Sequence, residues 1–122
     1  MNGEGKHEDL QIRTKEFALK VIRMYSALPK STEAQVLGRQ VLRSGTSVGA
    51  NYREAGRSRS KLEFIAKIGD CPKELDETAY WLELLAELSM VPNAKIGDVR
   101  DECDQLLAIF TTISKKAKTN TS

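Results

Sequence analysis

A chain of 122 residues is long enough for one domain with a continuous core and too short for two ordinary ones. Its balance of 40% hydrophobic and 30% charged residues, with only three prolines, excludes fibrous and disordered classes and suits a helix-rich soluble domain. The net charge of +2 hides a marked segregation. Between Arg39 and Lys67 seven basic residues (Arg39, Arg43, Arg53, Arg57, Arg59, Lys61, Lys67) face only Glu54 and Glu63, whereas Glu74 to Ala94 holds five acids and no base. Lys115, Lys116 and Lys118 follow near the C-terminus. This pattern fits either an anionic partner or oppositely charged elements packed together. No run approaches the ~18 apolar residues of a membrane span, and MNGEGKHEDL lacks the apolar core of a signal peptide, so the expected location is cytoplasmic with no membrane partner.

The first helix is expected from about Leu10 to Leu28, where Phe17, Val21, Tyr25 and Leu28 recur at helical spacing and Pro29 stops the chain. Residues 1–9 are left as a flexible tail. Thr32 is expected to open the second helix, with Gln35 completing a capping-box pattern. That helix runs to about Ala55, and its core arc is Ala34, Leu37, Val41, Ser44, Val48, Tyr52 and Ala55. Small residues crowd its middle (Ser44, Gly45, Ser47, Gly49, Ala50), a cost in helix propensity that permits close approach of a neighbour. Arg39, Arg43, Ser47, Asn51 and Glu54 form a polar stripe on the other side.

Gly56 ends this helix, and Ser58 or Ser60 can cap a third that extends to about Leu88. Leu75, Thr78, Ala79, Leu82, Leu85 and Ala86 make its core arc. A second arc, Glu77, Trp81, Leu84 and Leu88, is apolar beyond what a four-helix core needs, which predicts an oligomer interface at Trp81, Leu84 and Leu88. Pro72 is expected to bend or locally break the helix. Arg39 and Arg43 are expected to pair with Glu74 and Glu77, since charges beside apolar surface are costly unless paired. After a loop near Val91–Asn93, a fourth helix from about Lys95 to Lys118 carries Val99, Cys103, Leu106, Leu107, Phe110 and Ile113, and residues 119–122 form a second flexible tail. Four amphipathic helices with short connections, and no useful strand alternation, predict an all-α, antiparallel up-down-up-down four-helix bundle over residues 10–118.

Chemistry is sparse. Asp70, Glu74 and Glu77 recur on one side of the third helix, but bundle metal sites draw on Glu-x-x-His elements, and the only histidine is His7 in the tail. Neither a metal nor a cofactor is expected. Cys71 and Cys103 belong to no cluster and have no histidine base in a structured region, and no Walker lysine follows any glycine. The chain reads as a non-enzyme. Arg53, Arg57, Arg59 and Lys61 form the one cluster suited to phosphates; without aromatics free to stack, it suits RNA or DNA bound with little sequence preference. The alternative is an adaptor that binds a protein partner.

The residues from Leu37 onward carry a family resemblance. L-x-x-Q-x-x-R-x-x-x-S-V-x-x-N-x-x-E (Leu37 to Glu54) precedes R-S-K-x-x-F-I-x-K-I (Arg59 to Ile68), and Lys73-Glu74 with E-T-x-Y-W-L-x-L-L (Glu77 to Leu85) completes the pattern. It resembles the four-helix bundle proteins encoded in 23S rRNA intervening sequences, over about Leu10 to Lys118. The resemblance implies a bacterial cytoplasmic protein that forms a ring-like homopentamer. It also implies likeness to the accessory proteins of diversity-generating retroelements, which bind nucleic acid and a reverse transcriptase. Pro72 departs from the family's uninterrupted helix.

Overall fold

The computed structural model describes the backbone of residues 2–120 and the side chains of residues 9–120. The described residues form four α-helices and no strand: α1 (Asn2–Ser26), α2 (Thr32–Gly56), α3 (Lys61–Glu87) and α4 (Asn93–Thr119). Each packs against its two neighbours in the cycle, and the diagonal helices α2 and α4 meet through core side chains at Tyr52 and Phe110. Short connections between consecutive helices make the arrangement up-down-up-down.

α1 starts well before Leu10. Residues 2–9, read from the sequence as a tail, continue the helix; apolar periodicity begins only at Leu10 and therefore did not reveal them. Met1, Thr121, Ser122 and the side chain of His7 lie outside the described residues, while Thr119 still belongs to α4. The cap of α2 also differs from the expectation. Ser31, not Thr32, is the N-cap, accepting a hydrogen bond from Ala34 N at 3.3 Å. Gln35 reaches back instead to the Pro29 carbonyl (2.8 Å) and contacts the Tyr25 hydroxyl (3.2 Å), pinning the turn from α1. Ser60 caps α3, accepting from Glu63 N at 3.0 Å.

α3 runs unbroken through Pro72, contrary to the expected break. Proline removes the N–H that would have bonded the Ile68 carbonyl. Ile68, Cys71 and Leu75, all fully buried on either side of it, hold the helix to the core across that gap. The helix ends with Ser89 at φ 56°, where Ser89 N donates to the Ala86 carbonyl and Met90 N to the Leu85 carbonyl, the pairing of a Schellman motif.

The core is one cluster built around Phe17, Val41, Leu75, Leu82, Leu106 and Phe110, with Tyr52 edge-on to Phe110 at 5.4 Å. Leu37 lies half-buried at its margin, and Gly38 and Gly45 take fully enclosed places beside it. Gly45 faces Val21 of α1, and Gly38 faces Tyr25 of α1 and Leu28 in the turn after it, so small residues of α2 serve close α1–α2 packing. Contact between α1 and α4 is the sparsest of the four seams. Arg13 bridges it to Glu102 through two hydrogen bonds of 3.1 and 2.8 Å, and Lys20 lies 3.1 Å from Asp98. Glu102 raises the pKa of Arg13, so this guanidinium stays charged throughout.

Candidate nucleic-acid interface

Antiparallel packing brings the start of α1, the end of α2, the start of α3 and the end of α4 to one end of the bundle. Arg53 lies in the last turn of α2 and Arg57 is its C-cap residue. Arg59 precedes the cap of α3, and Lys61 opens that helix. At the same end α4 contributes Lys115, Lys116 and Lys118. The contacts fix this juxtaposition: Lys61 Nζ donates to the Asn120 carbonyl at 2.7 Å, and Lys116 shares a surface cavity with Asp9 and Leu10.

The four clustered cations are not equivalent. Arg53 and Arg57 both line two adjoining cavities of about 460 and 340 Å³ between α1 and α2. Lys61 turns toward α4, and the Arg59 side chain is exposed. Two of the acids at this end, Glu54 and Glu63, are already engaged, while Asp9 lines the α4-side cavity with Lys116. Glu54 meets Lys67 of α3 at 2.8 Å, and this hydrogen bond lowers the pKa of Glu54 and raises that of Lys67. Glu63 accepts from Arg59 N at 2.9 Å. What remains is a surplus of cations able to offer forked and point-charge donors to phosphate.

Halfway along the α2–α3 seam, Arg43 lies 2.8 Å from Glu77 and 3.5 Å from Glu74. The closer contact is a hydrogen bond; the longer is not, and Glu74 Oε1 is left buried without a hydrogen-bond partner. Arg39, expected in the same network, forms no ion pair within the subunit and is exposed. Toward the opposite end, Trp81 and Leu84 are half-buried and Leu88 is 54% exposed. Tyr80, likewise 54% exposed, stacks edge-on against Trp81 at 5.1 Å. The Trp81 indole N–H is buried and lacks an acceptor.

Both cysteines are buried and free of disulfides. Burial pushes the thiols of Cys71 and Cys103 up to about 12, the protonated and unreactive state. Among the described residues no three His, Cys, Asp or Glu side chains group as metal ligands, and no helix is long and apolar enough to cross a membrane.

The family model for the 23S rRNA-intervening sequence protein matches residues 8–112. The chain belongs to this family. A solved member of the S23 ribosomal protein family from Bacteroides thetaiotaomicron, a protein with unknown function, is similar at a TM-score of 0.82 and 33% identity, over 90% of this chain and 98% of that one. Comparison with curated proteins returns no match. The three stretches of the family resemblance lie on α2, on α3 and in the turn that joins this pair, whose contact is the most extensive in the bundle. Lys15 was missed as a neighbour of Arg53 and Arg57, because nothing in the linear sequence relates the middle of α1 to the end of α2. The α4 lysines were visible as a run, and only the bundle topology joins them to the cluster.

Proposed function

We propose that the protein is a non-enzymatic, oligomeric nucleic-acid-binding bundle of the bacterial cytoplasm, a ring of five copies whose basic ends form a repeated surface for RNA or DNA. The observation that supports this reading is the basic end of the bundle. Arg53, Arg59, Lys115 and Lys116 gather there without an ion pair, while Glu54 and Glu63 are engaged elsewhere. A cyclic assembly repeats that surface around one axis and converts modest single contacts into multivalent ones. Oligomerisation is supported by the patch of Tyr80, Trp81, Leu84 and Leu88, in which Tyr80 and Leu88 stand more than half exposed beside half-buried Trp81 and Leu84.

Electrophoretic retention of total bacterial RNA by the purified protein tests the reading. Binding is expected at low salt, with steep weakening as salt rises, because phosphates supply the contacts. A variant with Arg53, Arg57, Arg59 and Lys61 all replaced by Gln should lose retention while light scattering still reports the oligomer. A wild-type protein that retains neither RNA nor single-stranded DNA at low salt would refute nucleic-acid binding. The same aromatic patch would then support the second reading, an adaptor ring that holds a protein partner.

A further inference from the structure

We infer that the seat for the phosphate backbone is the groove between α1 and α2, with Lys15, Arg53 and Arg57 as its phosphate-contacting residues; this rests on the nucleic-acid reading above and sharpens it. The groove exists because both helices carry small side chains where they cross. Thr14 and Ala18 of α1 meet Gly49 and Ala50 of α2, and a Cβ on Gly49 would already stand 3.1 Å from Thr14 Oγ1. Larger side chains rise only along the margins: the basic Lys15, Arg53 and Arg57, with Glu54 beside them. From Thr46 to Arg57 the groove follows α2 for roughly 16 Å at 1.5 Å per residue, enough for a short run of phosphates.

Its electrostatics suit that occupant. Glu54 also borders the groove, but its carboxylate is held by Lys67 on the α3 side. Arg53 and Lys15 have no ion-pair partner, so their charge is available to a ligand. The floor offers no exposed ring for stacking and no large apolar surface, which favours a sugar-phosphate chain over a peptide helix. Lys61, by contrast, spends its ammonium on the Asn120 carbonyl.

The test compares three variants of the full chain with wild type in binding to labelled single-stranded RNA of mixed sequence. Lys15→Gln with Arg53→Gln removes charge from the groove. Arg59→Gln with Lys61→Gln removes equal charge from outside it. Ala50→Trp fills the groove without changing charge, at an exposed position that tolerates a larger residue. Circular dichroism and light scattering establish that each variant keeps its fold and mass, with Ala50→Leu as a smaller filler should Ala50→Trp disturb either. The groove variants, including Ala50→Trp, should lose most of the affinity, and the outside pair should lose clearly less than the Lys15, Arg53 pair does. With two contacts removed at a slope of about 0.7 each for a single strand, the Lys15, Arg53 variant should make log K against log salt shallower by roughly 1.4. Between 50 and 200 mM salt that variant should lose roughly 7-fold less affinity than wild type loses. Binding that survives the filled groove but not the outside pair would overturn the groove and leave the wider reading standing. A wild type that binds anionic vesicles and no RNA would overturn both.

Discussion

Replacing Gly45 by Ala measures how tightly α1 and α2 are pressed together. The added Cβ would lie 2.9 Å from Val21 Cγ2, 3.2 Å from Cγ1 and 3.4 Å from Cβ. Val21 is fully buried and β-branched, so turning its χ1 exchanges one methyl for another and relieves nothing. The helices themselves must move. Gly97 of α4 is the natural reference, since a Cβ there meets nothing within 4 Å. Both positions are inside helices, so each substitution gains about 1 kcal/mol of helix propensity. Overpacking a dense core costs about 1–3 kcal/mol. Gly97→Ala should therefore stabilise by about 1 kcal/mol, while Gly45→Ala should fall between no change and a loss of about 2 kcal/mol. The shared propensity gain cancels in the difference, which isolates the crowding. At about 4 °C per kcal/mol for a chain of this size, the two variants should melt about 4–12 °C apart at equal protein concentration. Equal stabilisation of both would refute the close-packed seam.

Three smaller perturbations probe other features. Arg43 is more than half exposed, so Arg43→Ala should cost under about 1 kcal/mol in urea unfolding, less than the sequence reading anticipated for a pair beside apolar surface. Thr78 Oγ1 lies 2.7 Å from Ser44 Oγ and 2.7 Å from the Glu74 carbonyl, and Ser44 donates to the Gln40 carbonyl at 2.9 Å. Each hydroxyl keeps a backbone acceptor when the other is lost, so a Ser44→Ala, Thr78→Val cycle should return a coupling of about 0.5–1.5 kcal/mol; zero coupling would remove the hydrogen bond from the account. Cys71 and Cys103 ionise near about 12 when folded and 9.0 ordinarily, so from about pH 9 upward the unfolded chain holds fewer protons and stability falls until about pH 12. Thiol labelling at pH 8 should be negligible until denaturant is added, and prompt labelling of the native protein would contradict their burial.

How far the sequence disclosed this molecule follows from which forces are local. The core arcs of α2 and α3 were legible because burial imposes a 3.6-residue rhythm, and Val41, Val48, Leu75 and Leu82 keep it. The first turns of α1 were not, since Gly3 and Gly5 weaken propensity and no apolar residue marks a buried face there. Ser31 and Thr32 are both acceptable caps by composition, and only the position of the Ala34 N–H chooses between them. Pro72 misled because its cost is local whereas the packing that overrides it, through Ile68, Cys71 and Leu75, is spread along the helix. The basic cluster was legible as composition. Its division into groove-lining Arg53 and Arg57, outward Arg59 and tethered Lys61 required the positions of α1 and α4, which no local pattern encodes.

That division also separates structural cations from available ones. Cations are favoured at helix C-termini and disfavoured at N-termini. Arg53 and the α4 lysines sit at C-terminal ends, where the dipole of their own helix accounts for part of their presence. Lys61 is at the N-terminus of α3, the wrong end by that rule, yet it donates to the Asn120 carbonyl at the end of the antiparallel α4. Its charge thus serves the neighbouring helix and ties the α3 and α4 ends together. Arg59 and Lys15 have neither excuse, the first lying before an N-cap and the second within the middle of α1. Lys61→Gln alone should accordingly cost about 1 kcal/mol or less of stability, seen as faster amide exchange in the last turn of α4, and should leave RNA affinity close to wild type. Lys15→Gln should show the converse, unchanged exchange and weakened RNA binding. If Lys61→Gln weakens RNA binding as strongly as Lys15→Gln does, the separation of tethered from available charge fails.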